Sequence, residues 1–196
     1  MIGILLAAGF SRRFGSQDKL LHHLPNGIPI ALASANNLIE SVPTSIAVVR
    51  PENSELAELL LNAGLKVVFC REHDEVMADS LATAVLSSAS FKAAQEGFII
   101  ALADMPYIQI NTIKAVANKV VNGASIVIPI YQNQRRHPVA FAAKFSNALQ
   151  NLHGDEGARS IIKQFSNEVQ LLPTDDAGVL ADIDLPADVS TLNFKS

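Results

Sequence analysis

Short apolar runs alternate with longer segments of helical period along most of the chain. Ile2–Leu6, Ser45–Val49, Lys66–Phe69, Phe98–Leu102 and residues 124–129 are mainly apolar, and their apolar residues are continuous rather than alternating. Such runs predict strands covered on both faces. Between them Leu56, Leu59, Leu60 and Ala63 recur at i, i+3, i+4, i+7, with Asn53 placed as an N-cap and Gly64 just past the end. Ile113, Val116, Ala117 and Val120 repeat the spacing, opened by Asn111 and closed near Gly123. Leu81, Ala84 and Val85 begin a third helix behind Asp79 and Ser80. This rhythm predicts a three-layer α/β fold with a mostly parallel sheet. After Pro129 it breaks, and "IYQNQRRHPVAF" predicts a hairpin around Asn133 that brings an antiparallel element into the sheet. No repeat, low-complexity stretch or linker interrupts the pattern, so residues 1–196 are expected to form a single domain.

In a sheet of this kind ligands gather at the carboxyl ends of the strands. That directs attention to residues 7–19, 71–80, 103–106 and the "QRRHP" stretch. Composition narrows the ligand. With 49% hydrophobic and 17% charged residues the chain can bury a substantial core. A formal net charge of -4 argues against a general nucleic-acid binder, so any affinity for polyanions must be local. The single cysteine, Cys70, closes an apolar run and reads as a buried thiol in a reducing compartment. No apolar run approaches the roughly 18 residues needed to span a bilayer. The first apolar stretch precedes its charges, the reverse of an export signal, so a cytoplasmic location is expected.

Three stretches carry candidate chemistry. "LLAAGFSRRFGSQDKLL" sets Gly9 and Gly15 around Ser11, Arg12 and Arg13, with Lys19 beyond. Glycines admit close approach of an anion to backbone amides, and the cations neutralise it. The same residues also suit a solvated basic loop. Neither G-x-x-x-x-G-K-[ST] nor G-x-G-x-x-G is present. "FIIALADMP" brings Asp104 to the tip of an apolar strand, as a cation ligand or as the cap of a turn. "ADIDLPADV" spaces Asp182 and Asp184 two apart, on one face if extended, while Asp188 falls in the first turn of a helix opened by Pro186. Carboxylates converging from distant segments need a cation, and Mg²⁺ held through one or two carboxylates plus phosphates is the usual arrangement. The five histidines show no zinc-ligand spacing with Cys70, and no G-x-S-x-G surrounds a serine.

Taken together these segments resemble a family. The opening stretch is similar to the L-A-A-G-x-S-x-R-M-G-x-x-K-L signature of nucleotidyltransferases acting on molybdenum cofactor. "ALADMP", "RRHPVAF", "GDEGAR" and "DIDLPAD" follow in the order of the cytidylyltransferase branch, so that the resemblance runs from Gly3 to Asp188. It implies a dinucleotide-binding-like nucleotidyltransferase fold whose opening turn wraps a triphosphate. By this similarity Arg13 and Lys19 contact phosphates, the backbone from Leu6, Ala7 and Ala8 to Gly9 approaches the nucleotide with Ser11 and Arg12, and Ser80 lies near base and ribose. Asp104 and Asp184, with Asp182, are the implied Mg²⁺ ligands. Arg136, His137, Pro138, Asp155 and Arg159 are the implied acceptor side. The sequence departs from the family pattern at Val76, where glycine is usual, and at Phe14, where methionine is usual.

The implied reaction moves CMP from CTP to the phosphate of molybdopterin or molybdenum cofactor, with a molybdoenzyme or its chaperone as an implied protein partner, and without nucleic acid or membrane. Ala8 favours this branch over the guanylyltransferase branch, whose opening motif is similar to L-A-G-G. A non-catalytic nucleotide sensor or cofactor chaperone on the same fold is the alternative of another class.

Overall fold

In the computed structural model, the structure describes residues 1–9, 14, 18–71, 77–154 and 156–191. Eight strands among them form one sheet: β1 (Ile2–Leu6), β2 (Ser45–Val49), β3 (Lys66–Phe69), β4 (Phe98–Leu102), β5 (Ile126–Tyr131), β6 (Gln134–Arg135), β7 (Val139–Phe141) and β8 (Val169–Pro173). Their order is β3-β2-β1-β4-β7-β5-β6, with β8 also paired to β5. β3, β2, β1 and β4 are parallel, and β8 is parallel to β5. β7 runs against both its neighbours, and β6 against β5. The break in rhythm after Pro129 is this reversal. β5 starts two residues later than the apolar run suggested and continues to Tyr131. Gln132 and Asn133, at φ 47° and 63°, make the two-residue turn of a tight hairpin. β3 is an edge strand with Lys66 and Phe69 exposed, so it is not covered on both faces as its apolar run predicted.

The helices are α1 (Ile30–Ser41), α2 (Ser54–Asn62), α3 (Met77–Ser87), α4 (Ile110–Val121), α5 (Ser146–Gln150), α6 (Arg159–Gln164) and α7 (Pro186–Thr191). Alternation along β1 explains the layers. Leu5 and Ala7 face a core shared with α1, α2 and α4, while Ile2, Ile4 and Leu6 face one shared with α3, α5 and α6. Asn53 caps α2 through Leu56 N, as its position predicted. For α4 the N-cap is Gln109, and Asn111 lies inside the helix. α1 has no counterpart in the sequence reading. It packs tightly on β1 because residue 3 is glycine: a Cβ there would lie 2.2 Å from Ser45 Oγ and 3.2 Å from the Leu38 side chain.

Candidate functional site

β1 leads to the site. Ala7 N donates to Val48 O at 3.0 Å and Ala103 N to Leu6 O at 3.1 Å, so the ends of β1, β2 and β4 are level. Leu6 and Ala7 are buried, Ala8 is half-buried and Gly9 is exposed at the rim. Ser11, Arg12 and Arg13 lie outside the described residues, as do Gly15, Val76 and Asp155. Past the turn, Asp18 caps a short 3-10 turn (Lys19–Leu21) by accepting from Leu20 N. Its other oxygen takes a hydrogen bond from the Asn53 side chain, which anchors this turn to the start of α2. Phe14 is buried against the His22 ring, so the apolar replacement of the usual methionine is absorbed by packing.

Lys19 is the hub. Its ammonium lies 2.8 Å from Asp104 Oδ2 and 3.4 Å from Asp184 Oδ1, and its side chain is only 11% exposed. A lysine is rarely so buried without paired charge. Asp104 Oδ1 is buried and has no hydrogen-bond partner. One oxygen of this carboxylate is neutralised and the other, buried, is not.

Asp184 reaches the site through its neighbours. Val179, Ala181 and Ile183 are buried, Val179 and Ile183 in the α1–α2–α4 core, and Ile183 N donates to Asp104 O at 2.9 Å. The preceding turn is held by Asp176, which is 3% exposed; it accepts from Gln109 N at 2.8 Å and from Gly178 N at 2.9 Å. Asp176 carries no signal in the sequence, because its partners are backbone amides that no spacing rule reveals. Asp188 Oδ2 accepts from Asp184 N and Leu185 N, the helix-start role its position suggested. Asp182 is exposed, whereas Asp184 is the member of the pair that meets Lys19.

A second group lies beside Asp104. His137 is half-buried, with Nδ1 3.3 Å from Ile100 O. A carbonyl can only accept, so Nδ1 carries the proton and neutral His137 keeps Nε2 as an acceptor. Burial pushes its pKa down; the Ile100 bond and the Asp104 charge oppose this, and Arg159 and Arg136 reinforce it. Arg136 and Arg159 are exposed, Arg159 being the first residue of α6, while Pro138 is buried. Gly157, at φ +53°, lies close to the start of α3: a Cβ at this position would be 4.0 Å from Ala78 N. Ser80, one turn further along α3, is buried. Glu156 pairs outward with Lys163 at 2.6 Å.

The donor set fits a hard divalent cation. Two carboxylates face each other across an ammonium, and a buried carboxylate oxygen is left without a partner. Mg²⁺-like ions bind through one or two such carboxylates and complete their shell with water and phosphate. Among the described residues no group of three or more His, Cys, Asp or Glu side chains that could hold a metal occurs.

A MobA-like NTP transferase domain matches residues 3–169. The purine catabolism protein PucB of Bacillus subtilis (strain 168) is 26% identical over 194 residues, covering 95% of this chain and 92% of that protein. Among solved structures, Rv0371c from Mycobacterium tuberculosis H37Rv has a TM-score of 0.82 at 24% identity, covering 98% of this chain and 97% of that one. The complex of Rv0371c with manganese gives 0.78 at 23%, covering 97% and 96%. Molybdopterin-guanine dinucleotide biosynthesis protein A from Archaeoglobus fulgidus gives 0.65 at 15%, covering 97% and 96%. The structural likenesses establish the same fold over nearly the whole chain, and the domain match extends over most of it. The chain belongs to the MobA-like NTP transferase family and is a nucleotidyltransferase.

Proposed function

We propose that the protein is a Mg²⁺-dependent cytidylyltransferase, a single domain of 196 residues that transfers CMP from CTP to the phosphate of molybdopterin or molybdenum cofactor. The observation that carries this reading is the Lys19–Asp104–Asp184 cluster with its unpartnered Asp104 oxygen. A phosphate oxygen of the acceptor attacks the α-phosphorus of CTP. The bond from that phosphorus to the bridging oxygen breaks, and pyrophosphate leaves with the electron pair. No protein nucleophile is required; catalysis rests on positioning and on stabilising charge.

Asp104 and Asp184 hold the metal, with Asp182 exposed at the rim. When bound, the ion neutralises phosphate oxygens and the charge developing on pyrophosphate. Lys19 neutralises the triphosphate together with Arg12 and Arg13 of the opening turn. Leu6, Ala7, Ala8 and Gly9 present backbone to the nucleotide with Ser11, and Ser80 flanks the ribose. Arg136 and Arg159 attract the acceptor phosphate beside His137 and Pro138, and Asp155 is assigned to the acceptor as well. His137 Nε2, an acceptor by its tautomer, suits a donor group on the acceptor molecule.

Support for the metal comes from the related Rv0371c, which was solved in complex with manganese. Support for the acceptor comes from the relative named for molybdopterin-guanine dinucleotide biosynthesis. That relative also keeps GTP as the second reading, against which Ala8 stands. We take the reaction to be cytoplasmic, a compartment that suits a chain with a single cysteine, Cys70. Pyrophosphate release with CTP, GTP, ATP and UTP, each with Mg²⁺ and molybdopterin, tests this reading. Release is expected with CTP foremost. Preference for GTP shifts the assignment to guanylyl transfer, and release with none of the four refutes it.

A further inference from the structure

α1 carries a polar stripe that the nucleotidyl-transfer reading leaves unused. Ser34, Asn37 and Ser41 lie on one side of α1, and they meet backbone carbonyls of the segment from Ala103 to Ile110, which bears Asp104. Ser34, 5% exposed, donates to Ala103 O at 2.9 Å, closer than the Ile30 carbonyl of its own helix at 3.2 Å. Asn37 spends both amide hydrogens on this loop, donating to Pro106 O at 3.0 Å and Ile108 O at 3.1 Å. Ser41 lies 3.2 Å from Ile110 O while bonding Asn37 O at 2.7 Å.

The first of these contacts bears directly on the metal carboxylate. The Ala103 carbonyl belongs to the peptide that enters Asp104, so Ser34 fixes that peptide plane. The peptide leaving Asp104 is fixed from the other side, since its carbonyl accepts from Ile183 N at 2.9 Å. Both planes flanking the Asp104 Cα are therefore held from outside β4, by α1 and by the C-terminal segment. An aspartate with one buried, unpartnered oxygen would otherwise turn to find a donor. The fixed backbone sets where the Asp104 Cα and Cβ lie, and from there the Lys19 contact at Oδ2 orients the carboxylate.

We infer that Ser34, assisted by Asn37, is the positioning residue of the Asp104 carboxylate: it acts through the backbone and touches no substrate. This rests on the proposal that Asp104 binds the divalent ion. Outer partners of metal ligands typically alter affinity by about tenfold or more when removed. Mn²⁺ binding to the nucleotide-free full chain, followed by electron paramagnetic resonance, is the test. Ser34→Ala is expected to weaken Mn²⁺ binding about tenfold, and to lower kcat while KM for CTP holds. Ser34→Thr, which keeps the hydroxyl, is expected to retain the affinity. Ser88→Ala serves as the structural comparison, because Ser88 is also buried and donates to a carbonyl, Val85 O at 2.7 Å, on another helix end. It should lower Tm without changing Mn²⁺ affinity. Should Ser34→Ala not fold, Asn37→Ala, which truncates a half-buried side chain, carries the same expectation. A Ser34→Ala chain that loses Tm yet binds Mn²⁺ like wild type overturns this inference alone. A wild-type chain that takes no Mn²⁺ overturns it together with the metal assignment.

Discussion

Replacing Lys19 with methionine separates two roles that a nucleotidyltransferase lysine can have. The side chain keeps most of its length and loses its charge. At an effective dielectric near 20, an ammonium 2.8 Å from one carboxylate oxygen is attracted by about 6 kcal/mol before desolvation. The 3.4 Å contact adds about 5 kcal/mol on the same scale. Asp184 is 44% exposed, so solvent screens the second contact more than the first. Removing one partner of a largely buried pair costs about 3–5 kcal/mol. In chelator the variant should therefore melt roughly 6–20 °C below wild type. The same arithmetic raises its affinity for a divalent ion. In wild type the ion must compete with an ammonium already seated between the carboxylates; in Lys19→Met that competitor is gone. If a quarter of the larger attraction survives, about 1.4 kcal/mol, nucleotide-free Mn²⁺ binding tightens about tenfold. Calorimetric titration with Mn²⁺ alone, then with CTP, reads both effects, and CTP affinity should fall. A lysine concerned only with phosphates predicts no change in the first titration. Mn²⁺ binding equal to or weaker than wild type refutes the reasoning.

His137 makes stability depend on pH. Burial depresses its folded pKa below the ordinary 6.5, so its contribution is complete above 6.5 and is lost as pH falls through the depressed value. Urea midpoints should begin to drop as pH falls below about 6.5, and His137→Gln should flatten that drop; Glu52, Glu96 and Glu168, whose pKa values are lowered from 4.5, titrate in a lower window. Gly178→Ala should cost about 3 kcal/mol or more, because its Cβ would lie 2.1 Å from Tyr107 O and 2.8 Å from Asp176 Oδ1. Mn²⁺ affinity should fall with it as Asp184 is displaced, and a chain with wild-type Tm contradicts the packing argument. Arg159→Ala should weaken molybdopterin binding far more than CTP binding in paired titrations, and equal losses would return Arg159 to a structural role.

β1, β2 and β4 have the bounds that their apolar runs suggested, because a strand buried in the sheet leaves its signature in composition alone; β3 has them too, although it is an exposed edge. α1 was not legible for the opposite reason. Its polar Ser34, Asn37 and Ser41 face protein rather than water, and their partners are carbonyls of residues distant in sequence. β8 was hidden too: "VQLLP" is partly exposed and ends in proline, so it lacks the continuous apolar character of the central strands. In the site, Asp104 was legible as a polar residue at the end of a buried strand. Its pairing with Lys19 and Asp184 was not, since nothing in the chain's local pattern states that the segment after β8 returns to the tip of β4. The hydrogen bond from Ile183 N and the bracing by Asp176 bring it there, and backbone partners leave no mark on residue type.

The joining of Lys19 to Asp184 has a consequence for how the protein comes into being. The two residues are 165 positions apart. A ribosome adding roughly 5–20 residues per second separates their synthesis by roughly ten to thirty seconds. Once Asp104 has been added, 85 positions after Lys19, β1 to β4 can pair while the lysine and Asp104 wait for the third member of their cluster. A chain arrested or clipped just after β8 would hold the whole sheet yet lack Asp184. If Asp104 and Asp184 hold the metal as proposed, metal competence would report that translation has passed Asp184.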